Sequence, residues 1–198
     1  PLEWMTRIFA HAGWMHLIGN MIFLWVFGQI VEGKIGWWKF LAVYGGIAAA
    51  SGLVEQILML GAQGGSLGAS SVIFGLLAIA LVWAPDNEVD CLLIFVVYVK
   101  TFEIRIRWLA ALYLFFQVLG VLFSGLAPSS ELLHLLGMAA GLPIGIIMLR
   151  RGWVDCEGWD WFSRRAHRPV APRTFVRPEL GPRRNRPEPG GREGEGPL

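Results

Sequence analysis

Five apolar segments separated by short polar breaks dominate the first 150 residues of the chain. A helix rises about 1.5 Å per residue, so about 20 apolar residues can cross the hydrocarbon core of a bilayer. The third segment is short for a crossing, but a helix that begins below the membrane surface is tolerated where the preceding loop is buried or lines a water-filled cavity. The pattern predicts an all-α polytopic membrane protein, with spans at about 14–31, 37–60, 70–84, 108–123 and 132–149.

A different pattern lies between the third and fourth segments. Residues 91–99 form a run rich in β-branched and aromatic side chains, and residues 102–107 alternate apolar with charged ones. Alternation of this kind is typical of a strand with one buried face. We therefore expect residues 88–107 to form a hairpin at the membrane surface and not a further span.

Composition agrees with a membrane protein. Of the 198 residues, 55% are hydrophobic and only 16% are charged. A soluble domain of this length needs more polar surface than residues 1–150 offer. Two cysteines, Cys91 and Cys156, are too few for a disulfide framework, and the sequence contains no zinc-type cluster of Cys and His, so no metal or cofactor is expected.

The composition changes abruptly after Arg150. Residues 151–198 form a basic tail rich in Pro and Gly, and residues 163–198 contain so few core-forming residues that most of the tail is expected to be disordered. Its charges are mixed, which argues against a nucleic-acid partner. The arginines just beyond the last span favour contact with anionic lipid headgroups.

The basic residues also predict an orientation. They occupy residues 34–39, residues 100–107 and the tail, whereas the loops at 61–69 and 124–131 contain no Lys or Arg. Loops with an excess of Lys and Arg face the cytoplasm. The C-terminus is therefore expected in the cytoplasm, and the third and fifth spans are expected to begin at the outer face.

A Gly-rich loop runs directly into the third apolar segment at residues 64–75. Ser70 falls at the join, beside unpaired backbone N–H groups at the positive end of a helix dipole. Such a place can hold an oxyanion beside a nucleophile. The same Ser and Gly residues are also typical of a helix cap or of a close-packing seam between membrane helices.

Polar side chains from three spans are expected at one depth near the outer face. They are His16, Asn20, Ser70 and His134. His16 and Asn20 are four residues apart and therefore share a helix face. Polar side chains inside a membrane are costly, so a set at one depth favours a functional site over isolated structural residues.

Ser70 and His134 together indicate nucleophilic catalysis. A serine hydroxyl is a poor nucleophile until a base takes its proton, and neutral histidine is the usual base at neutral pH. Gly137 and Gly141 share a face with His134, and their missing side chains would let His134 approach Ser70. Because the only acid near His134 in the sequence is Glu131, on the approach to the helix, we predict a Ser–His dyad and not a triad.

Three motifs, in order across about residues 4–150, resemble the rhomboid family of intramembrane serine proteases. Residues 11–20 (HAGWMHLIGN) resemble the family's signature into its second core helix. Residues 68–71 (GASS) resemble its Gly-x-Ser-Gly nucleophile motif. Residues 134–137 (HLLG), with Gly141, resemble its catalytic-histidine helix.

The resemblance implies a role for each matching residue. Ser70 would be the nucleophile and His134 the general base. His16 and Asn20 would hold the oxyanion together with the backbone N–H of Ser70, and Phe74 would pack under the catalytic imidazole. The glycines that would support the site are Gly68, Gly137 and Gly141. Other matching positions are expected to be structural, namely His11, Gly28 and Glu32.

The chain departs from the family pattern at three places. Ser71 replaces the glycine that usually follows the nucleophile; because serine is small, the backbone geometry is expected to survive. The family core has six spans and five are counted here, so the missing span is expected before Pro1, in a longer protein. Trp4 and Arg7 are poor substitutes for the family's Trp-Arg pair.

The expected function is that of an intramembrane serine endopeptidase that cleaves transmembrane segments of other membrane proteins near the outer face. The bilayer and transmembrane substrates are the expected partners, and an inner or plasma membrane of bacterial type is the expected location. The alternative is an inactive rhomboid-like protein that binds transmembrane helices. Retention of both Ser70 and His134 favours the protease, and the absence of a paired-repeat signal argues against a transporter.

Overall fold

The computed structural model describes residues 6–58, 69–95, 98–125 and 129–164. These residues belong to one compact unit of residues 1–167. The predicted site residue Gly68 and the tail from residue 165 onwards lie outside the described residues, as do Trp4 and the loop before Ser70.

Five α-helices and one β-hairpin make up the described part of the chain. A single 3-10 turn, Arg7–Phe9, precedes the first helix. Four helices are long and apolar enough to cross a membrane, which makes this an integral membrane protein. They are α1 (Trp14–Ile35), α2 (Trp37–Leu58), α4 (Ile106–Phe123) and α5 (Ser130–Arg150).

The remaining helix, α3 (Ser70–Trp83), lies at the centre of the bundle. It has 14 residues, 11 of them buried, and none of the others is exposed. At about 1.5 Å per residue it is roughly 21 Å long, short of the ~30 Å hydrocarbon core. A helix that is apolar all round is stable where other helices enclose it. The third predicted span is therefore a core helix, and the helical bundle expected from the sequence is confirmed.

Glycines on one face of α5 bring its backbone against that of α3. A Cβ atom built on Gly137 would lie 1.8 Å from the carbonyl oxygen of Ser71, and one built on Gly141 would lie 2.1 Å from that of Gly75. One turn further on, the indole Nε1 of Trp83 donates a hydrogen bond of 2.9 Å to the carbonyl oxygen of Gly145. Close helix contacts through small residues are typical of membrane bundles.

The hairpin expected from the alternating pattern is present. Strand β1 (Glu88–Phe95) pairs antiparallel with β2 (Tyr98–Arg105), from the pair Glu88 and Arg105 to the pair Phe95 and Tyr98. The cross-strand neighbours Val89 and Ile104 pack against the core of the bundle, which explains the alternation. Strand β2 leads directly into α4, which begins two residues before the predicted span.

The first residues of the predicted tail, 151–164, pack against the bundle. Val154 and Cys156 are buried, and the backbone N–H of Trp161 donates to the carbonyl oxygen of Val82 at 2.8 Å. Asp86, just beyond α3, lies within ion-pair distance of two arginines, Arg107 and Arg164. The bond from Trp161 joins this segment to the end of α3, so residues 151–164 form part of the fold.

Candidate active site

Ser70 is the first residue of α3 and is half-buried. It lines a cavity of about 40 Å³ together with residues of α1, α3 and α4, namely Asn20, Phe23, Phe27, Ile73, Phe74, Leu77 and Tyr113. The volume is enough for a water molecule or a small polar group. The start of the central helix thus carries a hydroxyl on the wall of a small, largely apolar cavity.

His134 lies in the second turn of α5, and two side chains from other helices hold its ring. Phe74 of α3 stacks on the imidazole with a centroid separation of 4.3 Å and an interplanar angle of 7°. Gln117 of α4 places its amide Oε1 2.9 Å from Nδ1 of His134. An amide oxygen only accepts, so with the amide in this orientation Nδ1 is the donor and the neutral ring keeps its lone pair on Nε2.

The side chain of Phe74 contacts the surroundings of both Ser70 and His134. Its ring stacks on the imidazole and also lines the cavity that Ser70 lines. Among the described residues, no hydrogen bond joins Ser70 Oγ to the His134 ring. Bonds between a nucleophile and its base are often long without substrate and tighten in the reactive complex. The dyad hydrogen bond therefore stays a prediction.

Asn20 of α1 is buried and lines the same cavity as Ser70. Its amide Nδ2 has no hydrogen-bond partner among the described residues. Leaving such a donor unpaired typically costs about 1–3 kcal/mol, so its position on the cavity wall calls for an explanation beyond packing.

His16 lies one turn before Asn20, in contact with the chain that enters α1. Its Nδ1 accepts a long hydrogen bond of 3.5 Å from the backbone N–H of Ala12, and the ring meets that of His11 edge-on with centroids 5.4 Å apart. His16 does not line the cavity that Ser70 and Asn20 share. The structure thus brings Asn20 to Ser70 and leaves His16 beside the entering segment.

Ser71, the departure from the family motif, faces away from this cavity. Its hydroxyl lies 3.4 Å from that of Ser51 on α2, and both side chains are buried. Its carbonyl oxygen is the atom that a side chain at position 137 would strike. The side chain of Ser71 therefore makes a polar contact with α2 and does not occupy the cavity beside Ser70.

Sequence reasoning missed Gln117 and Tyr113, two polar residues one turn apart on α4. Gln117 contacts His134, and the ring of Tyr113 meets that of Phe74 edge-on at 5.6 Å. A signal was available, because Gln117 is the only amide side chain in α4 and a polar residue within a span usually has a partner. The side chain of Glu131 packs beside Gly120 of α4. Among the described residues, the side chain that hydrogen-bonds the His134 ring is the amide of Gln117 and not this carboxylate.

These features define a membrane-embedded helical bundle with a serine at the start of its central helix and a histidine on the helix packed against it. Residues 1–151 match the family model of the rhomboid domain, and the chain belongs to the rhomboid family. It is similar to the protein "Rhomboid-like protein 11, chloroplastic" of Arabidopsis thaliana, with 39% identity over 82 residues.

That similarity covers 40% of this chain and 28% of the length of the Arabidopsis protein. It supports membership of the family, and the rest of the Arabidopsis protein lies outside the match. The relative is named as a chloroplast protein, so it lends no support to the bacterial-type membrane expected from the sequence.

Proposed function

We propose that the protein is an intramembrane serine endopeptidase that cleaves transmembrane segments of other membrane proteins. The observation that carries the proposal is the buried, unpartnered Nδ2 donor of Asn20 on the wall of the cavity that Ser70 lines. A donor held ready beside a nucleophile is what stabilisation of a developing oxyanion requires.

In the proposed reaction, Nε2 of His134 takes the proton of Ser70 as Oγ attacks the scissile carbonyl carbon. The carbonyl π electrons move to the oxygen, and the resulting oxyanion accepts hydrogen bonds from Asn20 Nδ2 and the backbone N–H of Ser70. His16, which the sequence predicted as a further donor, does not line this cavity, so the donors proposed here are those of Asn20 and Ser70. When the tetrahedral intermediate collapses, the C–N bond breaks and His134 gives its proton to the leaving amine.

An acyl-enzyme ester on Ser70 remains after the amine leaves. Water then attacks the ester carbon with His134 again as base, and the carboxylate product leaves as Ser70 recovers its proton. Because the N–H groups of Ser70, Ser71 and Val72 in the first turn of α3 have no partners within the helix, the positive end of its dipole favours the oxyanion in both steps.

The proposed topology puts this site near the outer face, with the C-terminus in the cytoplasm. It rests on the excess of basic residues at 34–39 and 100–107 over the loops at the Ser70 end. A substrate helix must unwind locally to present an extended segment to Ser70. Its freed backbone groups then need hydrogen-bond partners, and Ser70 and Asn20 on the cavity wall are candidates.

A second candidate is a rhomboid-like protein that binds transmembrane helices without cleaving them. It is favoured by Ser71 in place of glycine and by the missing hydrogen bond between Ser70 and His134 among the described residues. Both observations concern the reactivity of the Ser70 hydroxyl, so the experiment that separates the two functions must measure that reactivity.

A fluorophosphonate probe on the detergent-solubilised full chain makes this measurement. The Ser70 oxygen forms a bond to phosphorus, fluoride leaves, and His134 takes the proton, so labelling needs both an active base and an oxyanion site. We expect mass spectrometry to find the adduct on Ser70, none in Ser70→Ala or His134→Ala, and a rate about 10²- to 10³-fold lower in Asn20→Ala.

The control is Ser71→Gly, which restores the usual family residue. Labelling of the wild type at Ser70, whether or not Ser71→Gly is faster, supports the protease. An unlabelled wild type beside a well-labelled Ser71→Gly means that Ser71 disables the site, and the helix-binding function is then correct. Labelling that persists in Ser70→Ala contradicts the nucleophile assignment.

A further inference from the structure

Gln117 occupies a position in the bundle that lipid contact alone does not explain. It lies in the fourth turn of α4, is half-buried, and directs its amide oxygen at His134 of α5. An amide within a membrane span is costly unless it finds a partner. The 2.9 Å contact with Nδ1 of His134 supplies that partner and joins two helices at the imidazole.

The orientation of the Gln117 amide, with Oε1 toward Nδ1, indicates which ring nitrogen carries the proton. A neutral imidazole has one N–H and one lone pair, whereas the amide oxygen has only lone pairs. With Oε1 facing Nδ1, the hydrogen bond forms only in the Nδ1–H tautomer. A hydrogen bond of ordinary net strength shifts a two-state equilibrium of this kind roughly 2- to 13-fold.

The ring is held in orientation as well as in tautomer. Phe74 covers one face of the imidazole in a nearly parallel stack, and Gln117 pins the Nδ1 edge from a different helix. Rotation of the ring about χ2 breaks the hydrogen bond to Gln117. The edge that carries Nε2 is therefore the one left available to a nucleophile.

An amide has an advantage over a carboxylate at this depth. A buried, membrane-embedded carboxylate carries a large desolvation cost, whereas a neutral amide provides a directed acceptor without an added charge. The Gln117 amide can thus fix the His134 ring in the way an acid fixes it in a triad, without adding a charge of its own.

We propose that Gln117 is a positioning residue, which holds His134 in the Nδ1–H tautomer so that Nε2 is free to act as the base toward Ser70. The effect of Gln117 on catalysis rests on the proposed protease function. The tautomer of His134 can be observed whether or not the protein is active. The group that touches the reacting atoms remains His134.

The primary test is ¹⁵N NMR of the full chain with ¹⁵N-labelled histidine in detergent, with the His134 signals assigned by comparison with His134→Ala. We expect the wild type to show a protonated Nδ1 and an unprotonated Nε2. In Gln117→Met, which keeps side-chain length but removes the acceptor, the ratio of Nδ1–H to Nε2–H should fall roughly 2- to 13-fold. Gln117→Glu retains an acceptor and should keep the proton on Nδ1.

The matched control is Gln29→Met, the same change at an exposed position of α1. It should leave the tautomer ratio and the rate of fluorophosphonate labelling at Ser70 as in the wild type. Gln117→Met should lower that rate by the factor by which its Nδ1–H population falls, because only that tautomer offers Nε2 as a base.

Several results overturn the inference. A wild type with its proton on Nε2 does so regardless of how any variant folds. Gln117→Met with an unchanged tautomer ratio also does so, including when its labelling rate falls, because Gln117 would then be structural. If the wild type is not labelled at all, the proposed protease function fails, while the NMR result still decides whether Gln117 sets the tautomer.

Discussion

Replacing Gly137 with alanine should push α3 and α5 apart and disable the site. The added methyl carbon would lie 1.8 Å from the carbonyl oxygen of Ser71 and 3.0 Å from its Cα. To move from 1.8 Å to an ordinary contact of 3.4 Å, the two backbones must separate by 1.6 Å at this point. The obstructing atoms belong to the backbone and not to a flexible side chain, so no rotamer change relieves the overlap.

The size of the effect follows from that displacement. Overpacking typically costs about 1–3 kcal/mol, which for a chain of this length lowers the melting temperature by roughly 2–12 °C. A misplacement of about 1 Å between reacting groups can cost about 10²-fold in rate. We therefore expect Gly137→Ala to label at Ser70 at least about 100-fold more slowly than the wild type.

The glycine face of α5 provides a graded series for this test. Gly141→Ala meets the backbone of α3 at 2.1 Å and should be similarly severe, whereas Gly145→Ala meets its nearest atom at 3.3 Å and should be mild. Gly46→Ala on α2 is the matched control, because no atom lies within 4 Å of the added carbon. Helix propensity alone favours every one of these changes, so a loss at 137 and 141 comes from the contact.

Thermal unfolding can be followed by the reaction of buried Cys156 with a fluorogenic maleimide, in a Cys91→Ser background. Cys156 is 2% exposed, so it reacts only as the structure opens. If Gly137→Ala melts within about 1 °C of Gly46→Ala and labels at the wild-type rate, the close approach of α3 and α5 described above is wrong.

Two further predictions concern Phe74 and Cys156. Phe74→Leu removes a stacked ring pair of the kind worth about 0.5–1.5 kcal/mol and should slow probe labelling at Ser70 roughly 2- to 13-fold, while Phe74→Tyr retains the stack and should lose less. Burial raises the pKa of Cys156 from 9.0 to about 11, so its contribution to stability is complete below pH 9 and is lost as the pH rises through 11. Melting temperatures measured from pH 8 to 11 should fall more steeply for the wild type than for Cys156→Ala, and equal slopes would contradict the assignment.

The elements that follow from local pattern were predictable from the sequence. The apolar segments predicted the helices, and the alternation after residue 100 predicted a hairpin whose Val89 and Ile104 turn inward. Glycines four residues apart predicted a close contact on the helix of His134, where α5 does meet α3. Periodicity conveys which face of an element is buried, and here that information was sufficient.

Features that depend on contacts between distant segments were not predictable in the same way. Gln117 stands 17 residues before His134 on another helix, and nothing local indicates that their side chains meet. Residues 151–164 resemble a tail in composition, and nothing local indicates that Val154 and Cys156 are buried or that Trp161 bonds to Val82 of α3. The central place of α3 likewise results from how four longer helices enclose it and not from its own sequence.

The enclosure of α3 separates Ser70 from direct contact with the lipid. Thickness and lipid composition act on a protein through the helices that touch lipid, which tilt or shift to match the bilayer. Here α1, α2, α4 and α5 carry exposed apolar side chains, whereas no residue of α3 is exposed. A change of bilayer thickness therefore reaches Ser70 only through the helices that enclose α3, above all through the glycine face of α5 that packs against it.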